Sequence, residues 1–476
     1  MNAVLLLIGR GLLPLLLLAP LMLATVQAQA PNASLLAEAL PDNWRQFRQR
    51  EPVFGADLFW IEAGKVGKPV VLLVHGLGAG GLRSLTPVIT GLSNDYHVIA
   101  PDLPGFGLSG LPSGRYSPTN YARVLNWLLN ERDIRPAAVF GHSMGAAVAL
   151  RFAADYPRAV ERLILVNAAG ILQRTAFIQH VASVPVDFDD SFQSIAAAAD
   201  TLRTVGRFLV EWSNFLPDTG ALLSTDSWIW KTFVDGQPSV NAALSLVDED
   251  FSRAIADLKT PTYVIVGTDD PLAPPRTGRL LAGSLRNAEL FEMLGSDHIP
   301  MYSQTELFMT LLKRALQADG IGEPFWRRPK RVWWAPDLIC DGEDGQRYSG
   351  YYKRVELRKC VNVLLENVSA ESVSLVDSTA QVYNLEVRAE PDVGITLERS
   401  ELQLTNAEIN ASTGIISRSS RVDVAGVAMR VHEQAVVGVG ENRLVVSVSD
   451  LHSPGYQGFV HGSFRLDDTS LNTQLR

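Results

Sequence analysis

Gly141-His142-Ser143-Met144-Gly145 sets one serine between two glycines, with an apolar run (Ala137 to Phe140) before it and an Ala-rich helical pattern (Ala146 to Tyr156) after it. Strand, sharp turn and helix make up the setting in which G-x-S-x-G lifts a serine hydroxyl clear of the backbone at a helix N-terminus. The turn is crowded, so the residues two before and two after the serine must lack a side chain. The next backbone N–H is then free to stabilise an oxyanion. Without those flanking elements the same spacing would be an ordinary glycine-rich turn. A serine hydroxyl is a weak nucleophile until a histidine takes its proton, and that histidine needs a carboxylate to fix its tautomer. The chain has eight histidines. His75 and His97 precede the serine, and His142 adjoins it and faces elsewhere. His180 lies in a helical stretch, His298 in a short loop, and His432, His452 and His461 in the last third. Asp269 and Asp270 form an acidic pair directly after a strand pattern.

The elements that must hold these residues can be read around them. Pro69 to Val74 is a continuous apolar run, the mark of a strand buried on both faces of a parallel sheet. Similar runs cover His97 to Ala100, Arg162 to Asn167, Thr262 to Val266 and Ala288 to Met293, and Phe54 to Ala63 suggests an early strand pair. Helical patterns cover Arg276 to Leu285 and Thr305 to Ala315. Gly76, Gly78 and Gly81 match G-x-G-x-x-G, with Asp102 in the place of a ribose-binding acid. However, Asp102 sits in Pro101-Asp102-Leu103-Pro104-Gly105-Phe106-Gly107, which reads as a turn that Asp102 holds, so no dinucleotide and no other cofactor is expected.

Taken in series, Val71-Leu72-Leu73-Val74-His75-Gly76, the Pro101 to Ser109 turn and Gly141 to Gly145 resemble the α/β-hydrolase fold family, in the family's order and over roughly residues 50 to 316. The resemblance implies a doubly wound, mostly parallel α/β sheet with helices on both faces, which the strand–helix alternation supports independently. It also implies the order serine, acid, histidine along the chain. His298 alone follows the last core strand and becomes the general base. Asp270, three residues after Gly267, becomes the acid, with Asp269 as its rival. The backbone N–H groups of Leu77 and Met144 become the oxyanion donors. Residues 171–250, rich in Ala, Phe and Trp, resemble the helical lid that covers such sites. A serine at the elbow sets the chain apart from the aspartate-using dehalogenase and epoxide-hydrolase branches. Gly-His-Ser-Met-Gly looks more like small esterases and monoacylglycerol lipases.

A length of 476 residues suggests about three domains. A net charge of −9 argues against nucleic acid as a partner. Residues 1–30 carry Arg10, an apolar run and an Ala-Gln-Ala exit, as a secretory signal peptide does; an uncleaved membrane anchor is the alternative. The expected location is therefore the periplasm or outside the cell. The expected hydrolase domain is 31–316, followed by a linker at 317–337 with a basic run (Arg327 to Arg331).

Residues 338–476 change character, to short alternating strands rich in Val, Leu and Ser. Cys360, Ser378, Ser400 and Ser420 recur after similar strands at steps of 18, 22 and 20 residues. A β repeat near 20 residues predicts an all-β domain, a right-handed parallel β-helix of stacked coils. An antiparallel sandwich is the competing fold. One step above Cys360 lies Cys340, so stacking predicts a Cys340–Cys360 disulfide. Two cysteines make neither a disulfide scaffold nor a zinc site, and no metal is expected. The whole reads as an exported serine hydrolase of carboxylic, lipid-like esters. An amidase or peptidase on the same residues is one alternative. Another is a non-catalytic protein that binds a cell-envelope or carbohydrate surface through the C-terminal domain.

Overall fold

A computed structural model of the chain describes residues 40–134, 138–183, 230–322, 325–326 and 335–475. The expected signal segment, most of the expected lid and the basic run of the linker lie outside the described residues.

The N-terminal half is an eight-stranded sheet with helices on both faces. Its strands are β1 (Arg45–Arg50), β2 (Asp57–Ala63), β3 (Val70–Val74), β4 (His97–Asp102), β5 (Ala138–His142), β6 (Leu163–Val166), β7 (Thr262–Gly267) and β8 (Ala288–Met293). Their order is β1-β2-β4-β3-β5-β6-β7-β8, parallel from β4 onward. β1 and β2 add an antiparallel edge. The early strand pair therefore starts at Arg45, upstream of the expected Phe54. β1 is polar and mostly exposed, which hides it from a hydrophobic pattern.

Strands β3 to β7 are buried almost throughout, as their apolar runs demand. The described α-helices of six residues or more are α1 (Thr86–Leu92), α2 (Pro118–Glu131), α3 (Met144–Asp155), α4 (Arg174–Ser183), α5 (Pro238–Val247), α6 (Ser252–Asp257), α7 (Pro275–Ser284) and α8 (Thr305–Gln317). One apolar cluster joins one sheet face to α2, α3 and α7, and a second joins the other face to α1 and α8. α7 links β7 to β8, so it connects the two strands whose C-terminal loops carry Asp270 and His298.

The C-terminal third is β apart from one short helix (Leu471–Gln474). In chain order its strands are β9 (Leu338–Asp341), β10 (Arg347–Tyr351), β11 (Arg354–Arg358), β12 (Val363–Ala370), β13 (Ser372–Val376) and β14 (Thr379–Glu398). They continue as β15 (Glu401–Arg418), β16 (Arg421–Val431), β17 (Val436–Val439), β18 (Arg443–Ser453) and β19 (Tyr456–Arg465). Pairing is parallel along two tracks. Val355 faces Val373, Val373 faces Ile395, Ile395 faces Ile415, and Ile415 faces Val436. On the other track Val363 faces Ala380, then Leu402, Val422 and Leu444. Among the described strands of this region only β18 and β19 pair antiparallel, a pattern unlike that of an antiparallel sandwich.

The recurring serines stack at one corner. The N–H of Cys360 donates to Ser378 Oγ, that of Ser378 to Ser400 Oγ, and that of Ser400 to Ser420 Oγ, each at 3.0 Å. Each corner is entered by a residue at positive φ: Lys359, Asp377, Arg399 and Ser419. A small side chain whose oxygen accepts from the coil before it suits that place, which explains the period seen in sequence. Cys340 and Cys360 form a disulfide, with Cα atoms 6.4 Å apart. Their register differs from simple stacking. Cys340 faces Leu357, so the bridge runs diagonally from a strand to a corner.

Candidate active site

Ser143 stands between β5 and α3 with φ 55° and ψ −121°, a left-handed backbone rare for serine. The flanking glycines make that turn possible by contact. A Cβ on Gly141 would lie 2.2 Å from the Gly145 carbonyl oxygen, and one on Gly145 would lie 2.2 Å from that of Val74. The strained turn leaves Ser143 Oγ 2.9 Å from His298 Nε2. On the other side of the ring, His298 Nδ1 lies 2.8 Å and 3.0 Å from the two Asp270 oxygens. All three residues are buried, Ser143 at 8% exposure and His298 and Asp270 at 3%.

The structure therefore brings Ser143, Asp270 and His298, spread over 156 residues of sequence, into one hydrogen-bonded line. Nδ1–H bound to the carboxylate leaves Nε2 as the acceptor for the serine proton, the tautomer a general base needs. Asp270 is itself fixed, since its Oδ1 accepts the N–H groups of Leu272 and Ala273 at 2.8 and 2.9 Å. Asp269 instead meets Thr268 Oγ1 and lies outside the line.

Met144 is the first residue of α3, so its N–H has no carbonyl four residues back within the helix. Leu77 follows His75-Gly76 at the end of β3. A Cβ on Gly76 would lie 3.0 Å from Ser143 Cβ, so this loop runs directly against the nucleophile.

A model of the α/β hydrolase fold matches residues 69–304. The magnesium-chelatase 30 kDa subunit of Rhodobacter capsulatus is 33% identical over 248 residues, covering 50% of this chain and 84% of that protein. The chain belongs to the α/β-hydrolase fold family. Lipase 1 of Psychrobacter immobilis is 27% identical over 253 residues, covering 52% of this chain and 76% of the lipase. A poly(3-hydroxyalkanoate) depolymerase of Ectopseudomonas oleovorans is 26% identical over 280 residues, covering 54% and 88%.

Around this α/β-hydrolase site stand residues that sequence reasoning missed. His142 does not face away from the site. Its Nε2–H donates to the His298 carbonyl oxygen at 2.7 Å, so the elbow holds the histidine loop. Burial, with His298 adjacent, lowers the His142 pKa to about 3 and keeps the ring neutral. Asn167, at φ 44°, ties three strand ends together. Its Oδ1 accepts from Gly267 N–H and its Nδ2 donates to Asp297 O, both at 2.9 Å.

His75 shapes the loop that carries Leu77. Nδ1–H donates to Gly76 O at 2.7 Å, and Nε2 accepts the Leu103 N–H at 2.9 Å. Burial lowers its pKa to about 4. Asp102 accepts the N–H groups of Leu82 and Leu108, which is the turn-holding role read from its prolines and glycines. His180, on α4, donates to Asp270 O at 3.2 Å. Of Asn167, His142 and His180, Asn167 alone left a trace in sequence, as an asparagine directly after a strand, where positive φ is tolerated. The partners of His142 and His180 are backbone carbonyls far along the chain, which no spacing rule reaches.

Proposed function

We propose that this α/β hydrolase is a serine esterase acting through an acyl-enzyme. Ser143 Oγ attacks an ester carbonyl while His298 Nε2 takes its proton. The N–H groups of Leu77 and Met144 receive the oxyanion. His298 then protonates the leaving alcohol, and a water repeats the sequence to release the acid. Asp270 keeps the imidazole in the required tautomer and stabilises the imidazolium. The observation that carries this reading is the Ser143–His298–Asp270 line at 2.9 and 2.8 Å on the strained elbow.

Similarity to a lipase and to a polyester depolymerase supports an acyl, lipid-like substrate. The same machinery can open an amide, so ester preference is the part to test. A panel of p-nitrophenyl esters of rising acyl length, beside matched p-nitroanilides, provides that test. Turnover of esters with a maximum at medium or long chains is expected; faster turnover of the anilides would replace esterase by amidase. Export is part of the proposal. A disulfide persists in an oxidising compartment, which agrees with a cleaved signal at residues 1–30 and a periplasmic or secreted enzyme.

A further inference from the structure

We propose that the C-terminal β domain is a working part of the active site, in which Asp423 and Thr405 hold Arg276 and Arg276 positions Asp270. Arg276 is the second residue of α7 and is 5% exposed. Its guanidinium reaches entirely into the β domain. Nε donates to Thr405 Oγ1 at 2.7 Å, and Nη1 and Nη2 grip the two Asp423 carboxylate oxygens at 2.5 and 3.1 Å. Nη2 also reaches Leu404 O at 3.2 Å. A planar, bidentate pair of this kind fixes orientation as well as distance.

The tether from that anchor to the acid is short. Asp270-Pro271-Leu272-Ala273-Pro274-Pro275-Arg276 contains three prolines, each with φ restricted. Within it the N–H groups of Leu272 and Ala273 hold Asp270 Oδ1, and Thr277 N–H holds Pro274 O. A shift of Arg276 therefore moves the two donors that aim the carboxylate at His298.

The rest of α7 is seated on the same domain. One turn on, Arg279 O accepts from Asn406 Nδ2 at 2.7 Å, and the Arg279 guanidinium lies 4.3 Å over the Tyr383 ring. A Cβ on Gly283 would lie 2.2 Å from Asn406 Nδ2, and one on Gly426 would lie 2.5 Å from Leu280 Cδ1, so helix and coil meet without a gap. Ala425, Val445 and Val448 of the β domain belong to the hydrolase core cluster. Among the described residues the ion pair of Arg276 is with Asp423, across this boundary, and a buried charge left alone is strongly destabilising.

This inference rests on the esterase reading, and two readouts keep the two apart. Asp423→Asn in the full-length protein should lower kcat on a p-nitrophenyl ester about 10- to 100-fold with KM little changed, because a misplaced catalytic group costs about that much. The downfield proton resonance of the His298–Asp270 hydrogen bond should weaken or move. Asp423→Glu should recover much of both. Should Asp423→Asn fail to fold, Thr405→Val removes one bond without stranding a charge, and a smaller fall in kcat is expected. A folded Asp423→Asn or Thr405→Val protein with wild-type kcat and resonance would overturn the proposal, whatever its melting temperature. Absence of any ester turnover in the wild type would count against the esterase reading alone. The resonance would then decide: displaced in Asp423→Asn it supports the coupling, unchanged it refutes it.

Discussion

At the scale of single residues, the site assigns different work to neighbours of the same type. Asp270 meets the His298 ring and Asp269 does not. Asp270→Asn should lower kcat by about 10⁴, since an amide favours the wrong imidazole tautomer. Asp269→Asn should leave kcat near wild type; steady-state kinetics on one ester separates them, and equal losses would contradict the assignment.

The buried histidines make stability depend on pH. His75 and His142 have their pKa lowered to about 4 and about 3, from an ordinary 6.5. Between those values the unfolded chain binds protons that the folded chain refuses. Their contribution is therefore present at neutral pH and lost as pH falls below 6.5, by about 1.4 kcal/mol per pH unit for each ring. Asp102 works in the opposite sense. Burial raises its pKa from 3.8 to about 6, so its folded form retains a proton that the unfolded chain releases, and its contribution is lost as pH rises through that window. Between about pH 4 and pH 6 it offsets one histidine. Urea midpoints should therefore fall with acid less steeply in His142→Gln and more steeply in Asp102→Asn than in the wild type. Three parallel slopes would contradict this account.

At the scale of elements, close backbone approach decides which positions are fixed. Gly145→Ala would set a Cβ 2.2 Å from the Val74 carbonyl oxygen and 2.4 Å from that of His75, where only backbone can yield. A loss of about 3 kcal/mol is expected in the chemical denaturation midpoint, together with loss of activity. An unchanged midpoint would mean that the turn is not crowded.

The elements were legible in the sequence wherever burial was two-sided. β3 to β7 read as apolar runs because helices cover both their faces. β1 was not legible, because it is a polar edge strand held by its pairing to β2. The serine at the elbow was visible because its turn imposes glycine at two fixed positions. The carbonyl-holding roles of His142 and His180 were invisible, because a backbone acceptor leaves no residue type to find.

At the scale of the whole molecule, the repeat near 20 residues was readable because four successive corners carry Cys360, Ser378, Ser400 and Ser420. The diagonal register of Cys340 was not, because equal spacing does not fix which strand position stacks on a corner. The disulfide closes a separation of 20 residues near the start of the β domain. Replacing both cysteines by serine should lower stability by about 3 kcal/mol on a chain-entropy estimate. The loss should appear in the urea midpoint of the β domain and vanish when the wild type is measured in reductant. The dependence of α7 on Asp423 and Asn406 carries a wider consequence. The hydrolase half is not expected to be self-sufficient when cut from the β domain.

The central claim is an activated serine at position 143, and labelling by a fluorophosphonate tests it most directly. The purified protein should form a covalent adduct that mass spectrometry locates on Ser143, and Ser143→Ala should form none. A folded wild-type protein that stays unlabelled, or an adduct on another serine that survives Ser143→Ala, would contradict the account.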